Sequence, residues 1–306
     1  MTIHNNILEL IGNTPMMYLD RFASNTRGRI AAKLEMFNPS SIKDRPVLYM
    51  IQEAEKRGEI IPGRSTIIEA SSGNTAIAIA YICAIKNYHA LICMPEHMSE
   101  ERKRILRTLG AELVLTPKEQ HTRGARAKAI ELSKEIADSY YLCQHDNPDN
   151  VRAHTETTAE EIWRQTDGEV DVFIAALGTT GTIRGVAERL KELKPSIQFV
   201  GIEPKEAPMI SQGIWSSHRL AGTSPGFIPK LLRRELIDEI ITVSVEEAYS
   251  VCREIARKEG LLVGITSGAC AYAARKISER PESSGKLITC VFADSGERYL
   301  TVENMW

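Results

Sequence analysis

Residues 172–193 read VFIAALGTTGTIRGVAERLKEL. An apolar run, residues 172–177, leads into a turn of glycine and threonine, residues 178–182, and then into residues with helical periodicity. This order predicts a buried strand, a tight turn and a helix. Glycines let a ligand approach the backbone, and the N–H groups and partial positive charge of a helix start favour a phosphate. A plain strand–helix turn with threonine caps fits the same residues, which lack the lysine of a Walker A loop and the GxGxxG spacing.

The same alternation of apolar runs and amphipathic stretches extends along the chain. It predicts an α/β fold with a mostly parallel sheet covered by helices on both faces. Such folds bind ligands at the carboxyl ends of their strands. The predicted strands are residues 29–34, 66–69, 90–94, 112–115, 172–176, 197–202 and 287–292. The predicted helices are residues 44–57, 74–87, 99–109, 123–137, 152–165, 181–193, 245–259 and 267–279.

Composition argues against several classes of protein. The chain has 306 residues, of which 43% are hydrophobic and 25% charged, as in ordinary globular proteins. A net charge of −2 argues against nucleic-acid binding, and no apolar run approaches the roughly 18–20 residues of a membrane span. The amino-terminal residues lack a basic start followed by an apolar run, so we expect no secretory signal, no membrane partner and a cytoplasmic location. The six cysteines form no CxxC pair, which predicts buried reduced thiols and no metal site.

A second predicted strand end carries residues 69–75, EASSGNT, which lead into a predicted helix. Hydroxyl and amide side chains beside the N–H groups of a helix start suit a carboxylate ligand. Serine and asparagine are also ordinary helix caps, so this segment taken alone fits either interpretation.

A lysine, Lys43, lies in the segment NPSSIKDR, residues 38–45, at the predicted start of a helix. The helix dipole disfavours a cation there, whereas a neutral or imine-bound lysine carries no such penalty. A lysine near a phosphate site is what Schiff-base chemistry with pyridoxal 5′-phosphate (PLP) requires. A lone lysine is more often a solvated surface residue, so the assignment depends on the other two motifs.

In this order, the three motifs together resemble those of the cysteine synthase (O-acetylserine sulfhydrylase) family of fold type II PLP enzymes, most closely the B type. The resemblance extends almost from end to end. It implies an α/β fold of two subdomains, each with a mostly parallel sheet flanked by helices, as in tryptophan synthase β. The larger PLP-binding domain would comprise residues 1–39 and 146–306, and a smaller mobile domain residues 40–145. Further segments that carry the resemblance are IGNTP at 11–15, KLE at 33–35, EAEKRG at 53–58, NPDN at 147–150, GITSG at 264–268 and SGERYL at 295–300.

The resemblance also implies roles for individual residues. Lys43 matches the catalytic lysine that forms the internal aldimine and then removes the α-proton. Thr266 falls where the family usually has a serine against the pyridine nitrogen. The residues expected to bind the cofactor are Lys43, Asn74, Gly178, Thr179, Thr180, Gly181, Thr182 and Thr266. Those expected to bind the substrate carboxylate are Ser71, Ser72, Asn74, Thr75 and Gln144.

The activity that the resemblance implies is β-replacement. A homodimer would make L-cysteine from O-acetyl-L-serine or O-phosphoserine and sulfide through an α-aminoacrylate intermediate. Related activities of the cystathionine β-synthase, 2,3-diaminopropionate synthase or cysteine lyase type share the same PLP site, and serine/threonine dehydratases resemble the chain less. A non-catalytic binding protein with the PLP fold is the alternative from another class, and the presence of Lys43 argues against it.

Three departures from the family pattern concern the second substrate. The segment between Glu35 and Lys43 looks one residue shorter than usual, and Ala76 stands where glycine is usual. The paired arginines expected of a B-type enzyme that uses thiosulfate are not found around residues 214–217. None of these departures touches a residue expected to bind PLP.

Overall fold

The structure, a computed structural model, describes residues 3–306. It divides into two compact units. The smaller contains Ile42–Ala153 with the described residues up to Ile11, and the larger contains Gly12–Ser41 and His154–Trp306.

These boundaries differ from the predicted ones in three places. Residues 40–41, predicted in the smaller domain, belong to the larger unit. Residues 3–11 were expected in the larger domain, but Leu8 and Ile11 pack against the core of the smaller unit. The smaller unit also continues past residue 145 to Ala153, since the helix Asp149–Ala153 packs on the helix Asp44–Lys56. The predicted mobility of the smaller unit stays a prediction.

Ten strands form two sheets within residues 3–306. The smaller unit has a four-stranded sheet in the order β5-β4-β3-β6, with every pairing parallel. The larger unit has a six-stranded sheet in the order β1-β2-β10-β7-β8-β9, in which only the β1–β2 pairing is antiparallel. The strands are β1 Met16–Tyr18, β2 Arg29–Lys33, β3 Thr66–Ala70, β4 His89–Pro95, β5 Glu112–Thr116, β6 Ser139–Tyr141, β7 Val170–Ala176, β8 Gln198–Pro204, β9 Glu239–Val243 and β10 Leu287–Val291.

Helices account for most of the remaining regular structure. The α-helices are α1 Asp44–Lys56, α2 Asn74–Lys86, α3 Glu100–Thr108, α4 His121–Glu135, α5 Asp149–Ala153, α6 Ala159–Gln165, α7 Gly181–Leu193, α8 Met209–Gln212, α9 Val245–Glu259 and α10 Ile265–Ser278. A π-helical turn, His154–Thr158, lies between α5 and α6. Short 3₁₀ helices are Ile7–Leu10, Glu35–Phe37, Lys118–Gln120, Arg234–Leu236, Pro281–Ser283 and Gly296–Tyr299.

The two faces of each sheet are buried under different helices, as the predicted α/β class requires. In β3, Ile67 packs with α1 and α2 on one face, whereas Ile68 packs with α4 on the other. In the larger unit α9 and α10 cover one face of the sheet, where Val200 of β8 packs. The preceding residue, Phe199, points to the opposite face, where Lys191 of α7 lies over its ring. Burial on both faces explains why these strands are continuous apolar runs.

A buried polar network anchors the amino-terminal part of the larger unit. The Lys33 ammonium is fully buried and donates to Glu161 Oε2 at 2.6 Å, Gln165 Oε1 at 2.9 Å and the Thr14 carbonyl at 2.6 Å. The Glu35 carboxylate accepts from Thr14 Oγ1 at 2.7 Å and Asn38 Nδ2 at 2.8 Å. The GNTP and KLE motifs, which helped to carry the resemblance, therefore fix the chain that leads towards Lys43.

Candidate cofactor and substrate site

The smaller unit carries the predicted catalytic lysine. Lys43 is half-buried and directly precedes α1, with helical backbone angles of its own (φ −71°, ψ −15°). Burial, together with the positive charges of Arg126 and Lys43, lowers the pKa of His145 to about 4. The imidazole of His145 is therefore neutral at pH 7 and lies within electrostatic reach of Lys43.

The 71–75 loop connects the end of β3 to the start of α2 in the same unit. Ser71 N donates to the Cys93 carbonyl of the neighbouring strand at 3.2 Å, and Ser71 Oγ accepts from Gly73 N at 3.3 Å. The residue that precedes α2 is Gly73, which has no side chain to cap the helix. Asn74 opens α2, and both Ser72 and Asn74 are half-buried. A helix start without a side-chain cap suits an anionic ligand, and the binding of a carboxylate here stays a prediction.

Gln144 lies against this loop. The Thr75 hydroxyl donates to Gln144 Oε1 at 2.7 Å, and both residues are buried. Gln144 is fixed in turn by Asn150, whose Nδ2 donates to the Gln144 carbonyl at 2.7 Å. Two residues that are 69 positions apart in sequence, and that were both predicted to bind the substrate carboxylate, are therefore brought together.

The larger unit carries the predicted phosphate turn between β7 and α7. Thr180 precedes α7 with a φ of +66°, which is rare for a β-branched residue and is typical of strained functional turns. Its hydroxyl is buried with no hydrogen-bond partner among the described residues. Thr179 Oγ1 accepts from Gly181 N at 3.3 Å. A buried, unsatisfied hydroxyl at a helix start fits a phosphate oxygen that would complete its bonding.

Gly178 and Thr266 are linked through one loop of the larger unit. A Cβ placed on Gly178 would lie 2.2 Å from the Gly222 carbonyl oxygen, so only glycine fits. Thr266, in the first turn of α10, donates from Oγ1 to the Ala221 carbonyl at 3.4 Å. The phosphate turn and the threonine predicted to face the pyridine nitrogen therefore both contact residues 221–222.

One residue beside the phosphate turn was missed in the sequence. His154, in the π-helical turn, is buried, with Nε2 3.1 Å from Thr182 Oγ1 and Nδ1 2.9 Å from Thr158 Oγ1. A tautomer that carries its proton on Nε2 donates to Thr182 and leaves the threonine proton free for a phosphate. An isolated histidine 28 residues before its partner gives no local signal, because the contact depends on the packing of the π-helical turn against α7.

No group of three or more His, Cys, Asp or Glu side chains within residues 3–306 is placed to hold a metal ion. The six cysteines are all free thiols, and five are buried, as predicted, while Cys143 is half-buried. Burial raises the pKa of Cys83 and Cys270 to about 12, so these thiols are protonated at neutral pH. In the part of the chain that the structure describes, no helix combines the length and apolar character needed to cross a membrane.

The fold, the lysine and the two strand–turn–helix sites define an enzyme of the PLP-dependent class. A family model described as pyridoxal-phosphate dependent enzyme matches residues 7–294, and the chain belongs to this family. Its cofactor is pyridoxal phosphate, and the resemblance predicted from the sequence is confirmed.

Individual relatives cover almost the whole chain. A probable cysteine synthase of Bacillus subtilis is 45% identical over 305 residues, which span 98% of this chain and 97% of that protein. The crystal structure of a cysteine synthase from Entamoeba histolytica is 40% identical with a TM-score of 0.94, covering 99% of this chain and 90% of that one. The crystal structure of O-ureido-L-serine synthase is 37% identical with a TM-score of 0.95, covering 99% of this chain and 95% of that one.

Proposed function

We propose that this protein is a cysteine synthase, which makes L-cysteine from O-acetyl-L-serine or O-phosphoserine and sulfide. The observation that carries the proposal is the hydrogen bond between the 71–75 loop and Gln144, an arrangement that suits an amino-acid carboxylate. The chain also has relatives named cysteine synthase, of which it covers 97% and 95%. Substrates of this class share the α-carboxylate and α-amine and differ in the β-substituent.

The residues divide the work as follows. Lys43 would bind the cofactor through its amine and, once released by the substrate, take the proton from the substrate α-carbon. Bound PLP supplies the electron sink that makes this proton acidic. The amides and hydroxyls of the 71–75 loop would orient the carboxylate, and residues 178–182 would hold the cofactor phosphate. The neutral imidazole of His145 adds no positive charge near Lys43.

Thr266 and Asn74 would contact the cofactor ring. A threonine hydroxyl against the pyridine nitrogen leaves that nitrogen unprotonated and tempers the electron sink, which favours loss of a β-substituent. Asn74, at the start of α2, would reach both the 3′-oxygen of the cofactor and the substrate.

A related β-replacement with another nucleophile is the second candidate. It is favoured by the similarity to O-ureido-L-serine synthase and by the departures at the second-substrate region. Of these departures, Ala76 is fully buried in the first turn of α2, where it replaces the glycine usual in the family.

Product analysis tests both candidates. The holoenzyme is incubated with O-acetylserine, O-phosphoserine, serine and cysteine, each with and without sulfide. We expect L-cysteine to form from an activated serine only when sulfide is present. Turnover of activated serine that yields no cysteine with sulfide, but a β-substituted product with another nucleophile, would establish the second candidate instead.

We also propose that the protein acts as a homodimer in the cytoplasm. The support is the family resemblance and the set of six free thiols, which suits a reducing compartment. Sedimentation of the holoenzyme tests the assembly, and a fully active monomer would contradict it.

A further inference from the structure

A buried carboxylate lies directly behind the 71–75 loop. Glu69, in β3, has no solvent exposure, and each of its oxygens accepts a different backbone N–H. Oε1 accepts from Ala70 N at 2.7 Å, and Oε2 accepts from Gln144 N at 3.0 Å. One side chain thus joins the start of the loop to a residue 75 positions away in sequence.

The bonds continue from Glu69 to the loop by a second route. Gln144, held by Glu69 through its backbone, accepts the Thr75 hydroxyl through its side chain at 2.7 Å. Glu69 is therefore hydrogen-bonded to Ala70, the residue that precedes the loop, and to the backbone of Gln144, the partner of Thr75 at the end of the loop. A shift of this carboxylate would disturb both the chain that enters the loop and the Gln144–Thr75 hydrogen bond.

Burying this carboxylate has an unfavourable free energy, so stabilisation of the fold alone does not explain it. A buried carboxylate costs free energy unless a cation compensates it, and a neutral side chain of similar size would avoid that cost. Burial raises the pKa of Glu69 to about 7, opposed by the two backbone N–H groups and by the charge of Arg126. Arg126 is itself ion-paired with Asp146 at 2.7 Å. The titratable groups that face Glu69 are Arg126 on α4, Asp146 and Cys143 after β6, Tyr141 on β6 and Cys93 on β4.

We propose that Glu69 is a positioning residue for the amino-acid carboxylate: its ionised side chain holds the 71–75 loop and Gln144 in the geometry that binds the substrate. The ionised form accepts both N–H groups with charged oxygens, whereas protonation turns one of these oxygens into a hydroxyl, which is a weaker acceptor and also a donor. The inference deepens the proposed function, because it assumes that the loop binds the carboxylate of an amino acid.

The variant Glu69→Gln removes the charge and keeps the shape. Its amide oxygen can accept one N–H, while its NH₂ group faces the other, so one of the two connections is lost. Glu203→Gln is a matched control from the larger unit. Glu203 is also fully buried and accepts two backbone N–H groups, from Ile210 at 2.6 Å and Ser211 at 3.0 Å.

The experiment measures amino-acid binding by each holoenzyme from the change in cofactor absorbance, between about pH 6 and pH 9. We expect Glu69→Gln to weaken this affinity about tenfold or more at pH 8, the effect of one buried hydrogen bond left unmade. The Michaelis constant for sulfide and the amount of bound cofactor should not change. Wild-type affinity should rise with pH as Glu69 ionises near pH 7. This rise in affinity near pH 7 should be absent in Glu69→Gln and present in Glu203→Gln. A separate rise, caused by deprotonation of the substrate amine, should remain in all three proteins.

Two further measurements keep the outcomes distinct. Glu69→Asp retains the charge and should retain the rise in affinity near pH 7. This variant tests the proposal even if Glu69→Gln fails to fold. Amino-acid binding is measured without sulfide, so it does not depend on cysteine formation. A protein that forms no cysteine but shows the rise in affinity near pH 7 contradicts the proposed function and still supports this inference. Equal affinity and an equal pH profile in wild type and Glu69→Gln would overturn it, as would a parallel loss of affinity for amino acid and sulfide.

Discussion

In the proposed mechanism, Lys43 is the residue on which the chemistry depends most directly. We expect Lys43→Ala to abolish the yellow absorbance of the Schiff base and to reduce turnover by several orders of magnitude, because the substitution removes the amine to which both roles are assigned. Lys56→Ala, at the exposed opposite end of α1, is the control and should retain both properties. Absorbance spectra and steady-state rates provide the measurement, and normal turnover by Lys43→Ala would refute the assignment.

At this scale the sequence identified residues that lie in short contiguous motifs. The 71–75 loop and residues 178–182 are visible because each joins a strand end to a helix start, and Lys43 is visible because it lies at a helix start in a short motif. Glu69 was quoted only as part of its motif, and His154 was not found. Their roles depend on partners 75 and 28 positions away, and a distance of that kind is set by packing and not by local spacing.

The phosphate turn is the element in which backbone geometry is most demanding. Gly178→Ala would put a methyl group 2.2 Å from the Gly222 carbonyl oxygen, so the turn or the 221–222 loop must move. We expect faster loss of PLP on dialysis. Gly285→Ala is the control, since its φ is +75° but no atom lies within 4 Å of the new Cβ. It should lower stability and leave PLP retention intact, and equal retention by both variants would contradict the prediction.

Elements that the sequence did not predict share a physical cause. β1 and β6 have three residues each, and β9 begins with a glutamate and has mostly half-buried side chains, so none of them forms a long apolar run. The strands buried on both faces were predicted with bounds within two residues of those observed. The predicted helix 152–165 is interrupted by the π-helical turn, which hydropathy alone does not reveal.

The buried ion pair of β2 and α6 should be worth far more than a surface pair. We expect Glu161→Ala to lower the free energy of unfolding by about 3–5 kcal/mol, because the Lys33 ammonium, fully buried, would lose its charged partner. Arg64→Ala, which breaks the exposed pair with Asp138, should cost about 1 kcal/mol or less. Thermal or urea unfolding of both variants measures the two losses of stability. If both variants lose only a similar, small amount, the Thr14 carbonyl and Gln165 are sufficient acceptors for Lys33.

For the whole molecule, stability as a function of pH combines the fully buried Glu69 and the half-buried His145, whose pKa values are shifted in opposite directions. The pKa of Glu69 is raised from 4.5 to about 7, so the folded protein binds the extra proton in this window and loses stability as pH rises through it. The pKa of His145 is lowered from 6.5 to about 4, so stability is gained as pH rises through that window. Each shift corresponds to about 3 kcal/mol, and the two contributions largely offset each other.

Substituting one of the two groups should reveal the contribution of the other to the pH dependence of stability. We expect the unfolding midpoint of Glu69→Gln to rise with pH between about pH 4 and pH 6.5 more steeply than that of wild type, because only the His145 contribution remains. His145→Gln should show the reverse, a midpoint that falls as pH rises towards about 7. Thermal unfolding of the three proteins in buffers of matched ionic strength measures these slopes. Parallel curves of midpoint against pH for the three proteins would mean that both groups keep ordinary pKa values in the folded protein. Glu69 would then not be the buried, hydrogen-bonded carboxylate that the contacts with Ala70 and Gln144 indicate.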